Sequence, residues 1–181
     1  MPFVYRLSPD NTLSIQRFHR ALQLVVDKHP SLHTSLIFDT QNNQLIQRIT
    51  SHKHSNNKTM FSFTQSSYET DEQLNNIMHD ERKNTQHFDL AQGLVFRCHL
   101  IHYKEIISSN DLLSHKDLLI FNFHHALFDF PSMNIFLHDL NQAYTTSQLS
   151  IDQDNTTLRY LDYAVIEQQM SMTGAQMYWY D

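Results

Sequence analysis

The sequence predicts a layered α/β or α+β domain, because stretches with helical spacing alternate with short runs rich in Val, Ile, Leu and Phe. At 181 residues the chain fits one domain with a sizeable core. Apolar residues make up 40% of it, including 12 Phe and 8 Tyr, so the mean hydropathy of −0.48 reflects abundant Asn, Gln, Ser, Thr and His rather than disorder.

The first helix is predicted over residues 14–28, where Ile15, Phe18, Leu22, Val25 and Val26 recur at three- and four-residue spacing, Ser14 caps the start and Pro30 closes the end. Residues 32–39 and 45–49 read as the strands of a hairpin around Thr40-Gln41-Asn42-Asn43, since Asn tolerates the positive φ a tight turn needs. Residues 51–59 are polar and aperiodic, a surface loop in which His52 and His54 are solvated, and 60–64 is a short strand. A second helix starts near Thr70, with Asp71 and Glu72 at its positive end, and buries Leu74, Ile77 and Met78 before fraying near Asn84. Its acids Asp71, Glu72, Asp80 and Glu81 are expected on a solvated face. Residues 94–103 suit a strand buried on both faces, 106–116 a loop, and 118–123 the next strand. Helical spacing returns with Met133, Ile135, Phe136, Leu140, Ala143 and Tyr144, and after a polar linker at 147–157 with Leu158, Leu161, Ala164 and Val165.

Composition excludes several functions. With 2 Gly, neither a GxGxxG nucleotide loop nor a Walker-type loop can be written. A net charge of −6, with no Lys/Arg cluster beyond a pair, provides no footprint for nucleic acid. The single Cys98 cannot form an internal disulfide, no apolar run approaches membrane-spanning length, and the opening Met1-Pro2-Phe3 starts no signal pattern. A reducing, cytoplasmic setting and no membrane partner are expected.

Chemistry concentrates where the apolar run Leu118-Leu119-Ile120-Phe121-Asn122-Phe123 leads into His124-His125, with Asp129 four residues after the second histidine. Functional side chains often sit on connections held by a rigid scaffold, which makes His125 the candidate. The residues alone leave three readings: ring nitrogens satisfied by backbone, a His125–Asp129 metal pair short of about four ligands, or a base with a pKa near 6.5.

His124-His125-Ala126-Leu127-Phe128-Asp129 followed by Phe130-Pro131-Ser132 resembles the HHxxxDGxS signature of nonribosomal peptide synthetase condensation domains, a branch of the chloramphenicol-acetyltransferase-like acyltransferases. Lys28-His29-Pro30-Ser31-Leu32-His33-Thr34 resembles that family's RHxxLRT segment, and Phe88-Asp89-Leu90-Ala91-Gln92-Gly93-Leu94-Val95-Phe96-Arg97 its FDLxxGPLxR segment. Tyr160-Leu161-Asp162-Tyr163-Ala164 and Tyr178-Trp179 look like two further landmarks, all in family order.

The resemblance implies a mixed β-sheet layered with helices, one lobe of a two-lobed fold, with residues 1–181 an incomplete, amino-terminal lobe lacking its second lobe. An apolar face left uncovered is then expected. It implies an amide-forming condensation between an amine and an acyl thioester, both held on phosphopantetheine of carrier proteins, with no metal and no directly bound cofactor. His125 matches the active-site histidine, as general base or as the group that positions the amine and stabilises charge. His124 and Asp129 match supporting positions, Asp129 pairing with a cation. Lys28 and His33 replace the two arginines of RHxxLRT, so Lys28 and Arg97 are the candidate charge partners, Arg97 pairing with a buried carboxylate or merely snorkelling. Phe130 stands where the family has glycine, and a positive φ there would strain it. Half of a two-lobed tunnel cannot align two tethered substrates, so the lobe alone is expected to be inactive. Two other readings are an acyl-CoA-dependent HxxxD acyltransferase fragment and a non-catalytic remnant that binds a carrier or partner. Epimerisation shares the histidine motif, whereas the cyclising variant has an aspartate where His124 stands.

Overall fold

Helix α1 (Ile15–Lys28) forms where its apolar spacing places it, capped by Ser14, whose Oγ accepts from the Arg17 N–H at 3.3 Å. The computed structural model describes residues 1–50, 60–104, 111–149 and 160–170. Strands β1 (Pro2–Tyr5) and β2 (Leu13–Ser14) precede α1; β3 (Thr34–Asp39), β4 (Gln44–Ile49) and β5 (Ser62–Tyr68) follow it. Then come α2 (Asp71–Lys83), β6 (Phe96–Tyr103), β7 (Leu112–Leu113), β8 (Leu118–Phe123), α3 (Ser132–Thr146) and α4 (Tyr160–Gln169).

The main sheet has the order β1-β8-β6-β5 and is mixed, with β5 and β6 parallel and the other neighbours antiparallel. Side chains alternate across β8: Phe121 and Phe123 join the main core with Phe18, Leu22, Val25 and Phe136 from α1 and α3, whereas Leu118 and Ile120 meet Leu74, Ile77 and Met78 of α2. The sheet is therefore covered on both faces, as an uninterrupted apolar strand requires. β3 and β4 form a separate antiparallel hairpin closed through Asn43 at φ +52°. Its Phe38 and Leu45 are 57% and 58% exposed, with Ile49 exposed on the same face of the hairpin and Ile37 and Ile46 exposed on the other.

The differences from expectation have local causes. β1 is too short to show a pattern in the sequence; it is recruited by pairing with β8, from Pro2↔Asn122 to Tyr5↔Leu119. Within the stretch read as a loop, Leu112–Leu113 forms β7 against β2. Pro30–His33 is a 3-10 turn, so β3 starts at Thr34 rather than Leu32. β5 continues past Thr64 to Tyr68, because an edge strand accommodates the polar Gln65-Ser66-Ser67. Ile135 lies on the outer face of α3 and is exposed. Ile151–Asp181 forms a unit of its own containing α4, in which Tyr163 and Val165 are exposed. Leu158, Tyr178, Trp179, His52, His54 and the loop at 51–59 lie outside the described residues.

Leu22 has no exposed surface. Leu22→Ala should cost about 2–5 kcal/mol in urea unfolding. Leu45→Ala on the hairpin should stay within about 0.5 kcal/mol.

Candidate active site

The end of β8 carries the two histidines out of the sheet. The His124 N–H extends the ladder to the Val95 carbonyl at 2.8 Å, and the Leu127 N–H returns to the His124 carbonyl at 3.1 Å. Beyond this turn the chain is pinned by Phe128, whose buried ring stacks on Phe123 with centroids 3.7 Å apart and 6° between planes. His125 is left exposed between two fixed points.

The ring hydrogen bonds assign a tautomer to each histidine. His125 Nδ1 lies 3.3 Å from the Phe128 carbonyl, which only accepts, so Nδ1 carries the hydrogen and the neutral ring's lone pair is on Nε2. His124 is the reverse: its Nδ1 accepts from the Ala126 N–H at 3.2 Å, which puts the hydrogen on Nε2. The Phe88 ring packs edge-on against His124 at 5.5 Å. Burial lowers the His124 pKa below the ordinary histidine value, and the positive amino terminus and His125 add to the effect, so the ring favours its neutral form. A cleft of about 450 Å³ opens beside it, lined by Thr85, Gln86, Phe88, Asp89, Leu90 and His124.

Asp129 is fully exposed and makes no ion pair within 4 Å among the described residues. Its Oδ1 accepts from the Ser132 N–H at 3.1 Å and from the Ser132 hydroxyl, and these bonds lower its pKa, the hydroxyl first, while the charge of a protonated His125 also acts to lower it. It therefore shapes the entry to α3. The two candidate charge partners are engaged elsewhere. Lys28 pairs with Asp139 of α3 at 3.0 Å, beside His29 at 2.6 Å on the same oxygen. Arg97 donates from Nε to Glu81 Oε1 at 2.9 Å and from Nη1 to Ser62 at 3.2 Å. Phe130 is 72% exposed, and the only non-glycine residues with positive φ among those described are Asn43 and Ser147, so the turn meets no left-handed penalty at Phe130.

Glu81 overturns the expectation of a solvated acidic face on α2: its side chain is 1% exposed. Its carboxylate meets Arg97, the His99 ring at 2.7 Å and the Asn122 amide at 3.0 Å, while the same amide donates to the Glu81 main-chain carbonyl at 2.7 Å. Burial would raise its pKa, but the bonds from His99, Asn122 and Arg97 outweigh that and hold it at about 2. Sequence reasoning missed Glu81 and Asn122 as a pair. The available signal was Asn122 itself, a polar residue within an apolar strand.

Landmark segments distant in sequence meet beside the site. The Leu36 N–H bonds to the Leu90 carbonyl at 2.8 Å. Gly93 sits at φ +72° with its Cα facing Thr50 and the His33 carbonyl, where a Cβ would come within 3.1–3.3 Å of both. Among the described residues no three His, Cys, Asp or Glu side chains are placed to share a metal, and no helix is long and apolar enough to cross a membrane.

A family model described as "Condensation domain" matches residues 1–181. The chain is 27% identical to surfactin synthase subunit 1 of Bacillus subtilis (strain 168), over 94% of this chain and 4% of that protein. It is 24% identical to bacitracin synthase 1 of Bacillus licheniformis, over 95% of this chain and 3% of that protein. Its fold is similar to the epimerization domain from the third module of tyrocidine synthetase B, with a TM-score of 0.69 at 18% identity over 93% of this chain and 35% of that one. It is also similar to the condensation domain of the monacolin K polyketide synthase, with a TM-score of 0.65 at 13% identity over 97% and 34% of the two chains. The chain thus spans a small fraction of its curated relatives and about a third of these solved chains.

Because the folded state holds Glu81 at about 2 against an ordinary 4.5, the unfolded chain binds the proton first on acidification. Its contribution to stability, about 3 kcal/mol, is fully present above pH 4.5 and lost as pH falls toward 2. Glu81→Gln should flatten this acid limb in denaturant titrations across pH. At neutral pH it should also cost about 3–5 kcal/mol by leaving Arg97 without its carboxylate.

Proposed function

This chain belongs to the condensation-domain family, and from that premise we propose that it supplies the histidine-bearing, amino-terminal lobe of a domain joining a carrier-bound amine to a carrier-bound acyl thioester. The similarity to surfactin and bacitracin synthases supports peptide-type amide formation. The share of about a third of the solved chains supports the reading of a single lobe that works with a second.

The observation that carries the chemistry is His125, exposed and hydrogen-bonded through Nδ1–H to Phe128, with its basic lone pair on Nε2. The amine nitrogen attacks the thioester carbon, forming the C–N bond while the carbonyl π pair moves onto oxygen. His125 Nε2 takes the proton that the nitrogen loses. The oxyanion then re-forms the carbonyl, the C–S bond breaks, and the departing thiolate sulfur receives the proton from the imidazolium. Proton and electrons balance with no metal or bound cofactor. Asp129 and Phe128 position the base: one holds the turn into α3, the other supplies both the ring anchor and the accepting carbonyl. In this arrangement the Ser132 bonds and the Phe123 stack hold the loop without a close ion pair at Asp129.

His125→Ala in the full-length native protein should slow amide formation between two loaded carrier proteins by about 10²- to 10⁴-fold in single turnover. An unchanged rate would refute the reading and favour a binding role; turnover with acyl-CoA in place of the loaded donor carrier would move it to a CoA-dependent transfer. Residues 1–181 alone, given both loaded carriers, should yield no amide detectable by mass spectrometry, since approximation of the two substrates needs both lobes.

A further inference from the structure

The second histidine is accounted for by the chemistry above, but His124 has a feature that a merely packed ring would not need. Its Nδ1 is consumed by the Ala126 N–H, so its remaining polar group is an Nε2–H donor. Among the described residues that donor has no protein acceptor, and the ring lines the cleft with residues of the 85–90 segment. The opposite wall is built from the 3-10 turn Thr85–His87 and from Phe88, Asp89 and Leu90.

The spacing of the two walls is fixed from below. Glu81 lies four residues before the first wall, and Asn122 two residues before His124. The Asn122 amide donates to both the main-chain carbonyl and the carboxylate of Glu81. The His124 main chain is held to Val95, and its ring plane is set by Phe88. A neutral N–H donor held on the wall of this open cleft suits a carbonyl oxygen that gains negative charge, because no reorganisation is needed when the charge appears, and the Asp89 carboxylate on the same lining already accepts from the Gln92 N–H at 3.1 Å.

We propose that this cleft receives the carbonyl oxygen of the acyl thioester, and that the His124 Nε2–H hydrogen-bonds that oxygen as it becomes the oxyanion of the tetrahedral intermediate. The inference rests on the acyl-transfer reading above. It gives the adjacent histidines opposite tasks, His125 accepting a proton at Nε2 and His124 donating a hydrogen bond from Nε2 without transferring its proton.

Two measurements test it in the full-length native protein. The first is the tautomer of His124, read from ¹⁵N shifts and ring couplings in histidine-labelled protein at neutral pH and assigned by comparison with His124→Phe. The expected result is the hydrogen on Nε2; a hydrogen on Nδ1 overturns the proposal whatever the activity. The second is the rate with loaded carriers. His124→Phe keeps a ring of similar size but cannot donate, and should lower kcat by about 10²- to 10³-fold with KM for the carriers little changed. A kcat within about threefold of the native value overturns the proposal, that being far below the effect of losing an oxyanion donor. Should His124→Phe be silent while His125→Ala is slow, only this inference falls; should both be silent, the acyl-transfer reading falls with it.

Discussion

The architecture depends on one buried carboxylate. Glu81 sits at the end of an amphipathic helix whose apolar residues Leu74, Ile77 and Met78 are only half-buried, so hydrophobic contact alone anchors α2 weakly. The carboxylate ties that helix to Arg97 and His99 on β6 and to Asn122 on β8, and through Ser62 and Ser66 the same network reaches β5. Ser62, Arg97, Asn122 and Pro2 stand in register across the four strands. Burying such a charge is tolerable when it is paired and hydrogen-bonded, and here Arg97 and His99 meet Oε1, Asn122 meets Oε2, and the same amide meets the main-chain carbonyl of Glu81. An isolated ion pair would impose distance alone; this set imposes the register of three strands and the seat of one helix.

The histidine loop inherits its order from the two faces of the sheet. On the α2 face the polar network holds β8 up to Asn122. On the other face, rings stack in series from Phe96 to Phe123 to Phe128, with Phe136 of α3 edge-on to Phe123 at 5.2 Å. A turn emerging between these anchors needs little further support, which explains how Asp129 can take its hydrogen bonds from Ser132 while Lys28 and His29 bind Asp139 and fasten α1 to α3. Lys28 thus has a carboxylate partner in Asp139, whereas His33 is buried and bonds the Thr50 carbonyl at 2.7 Å, closing the base of the hairpin.

The long elements were legible because their apolar periods are strong. Phe18, Leu22, Val25 and Val26 mark α1, and the uninterrupted run before His124 marks a strand covered on both faces. The place of the histidine pair at the end of a buried strand was legible, and a buried acid was one of two readings for Arg97, although the identity of that acid was not. Glu81 was illegible because it occupies a helix otherwise rich in exposed charge, and nothing in spacing distinguishes an acid that meets three strands from one that meets water. β1, β2 and β7 escaped for another reason: strands of two to four residues carry too little pattern, and each exists through a partner remote in sequence. Tautomers lie wholly beyond sequence, since they follow from which carbonyl or amide the folded loop brings to each ring.

The pairing of β1 with β8 carries a consequence for biosynthesis. Pro2 must find Asn122, and Tyr5 must find Leu119, so β1 is made more than a hundred residues ahead of the strand that satisfies its edge. The β5–β6 pair is also parallel and closes only across α2. Both features raise contact order and slow the search for the native sheet. During that interval β6 lacks its β8 neighbour along one edge while its own apolar side chains are already synthesised, an open strand of the kind that invites pairing between nascent chains. Slow decoding or chaperone binding between β6 and β8 would act on this interval, at a stage when the histidines have yet to be made.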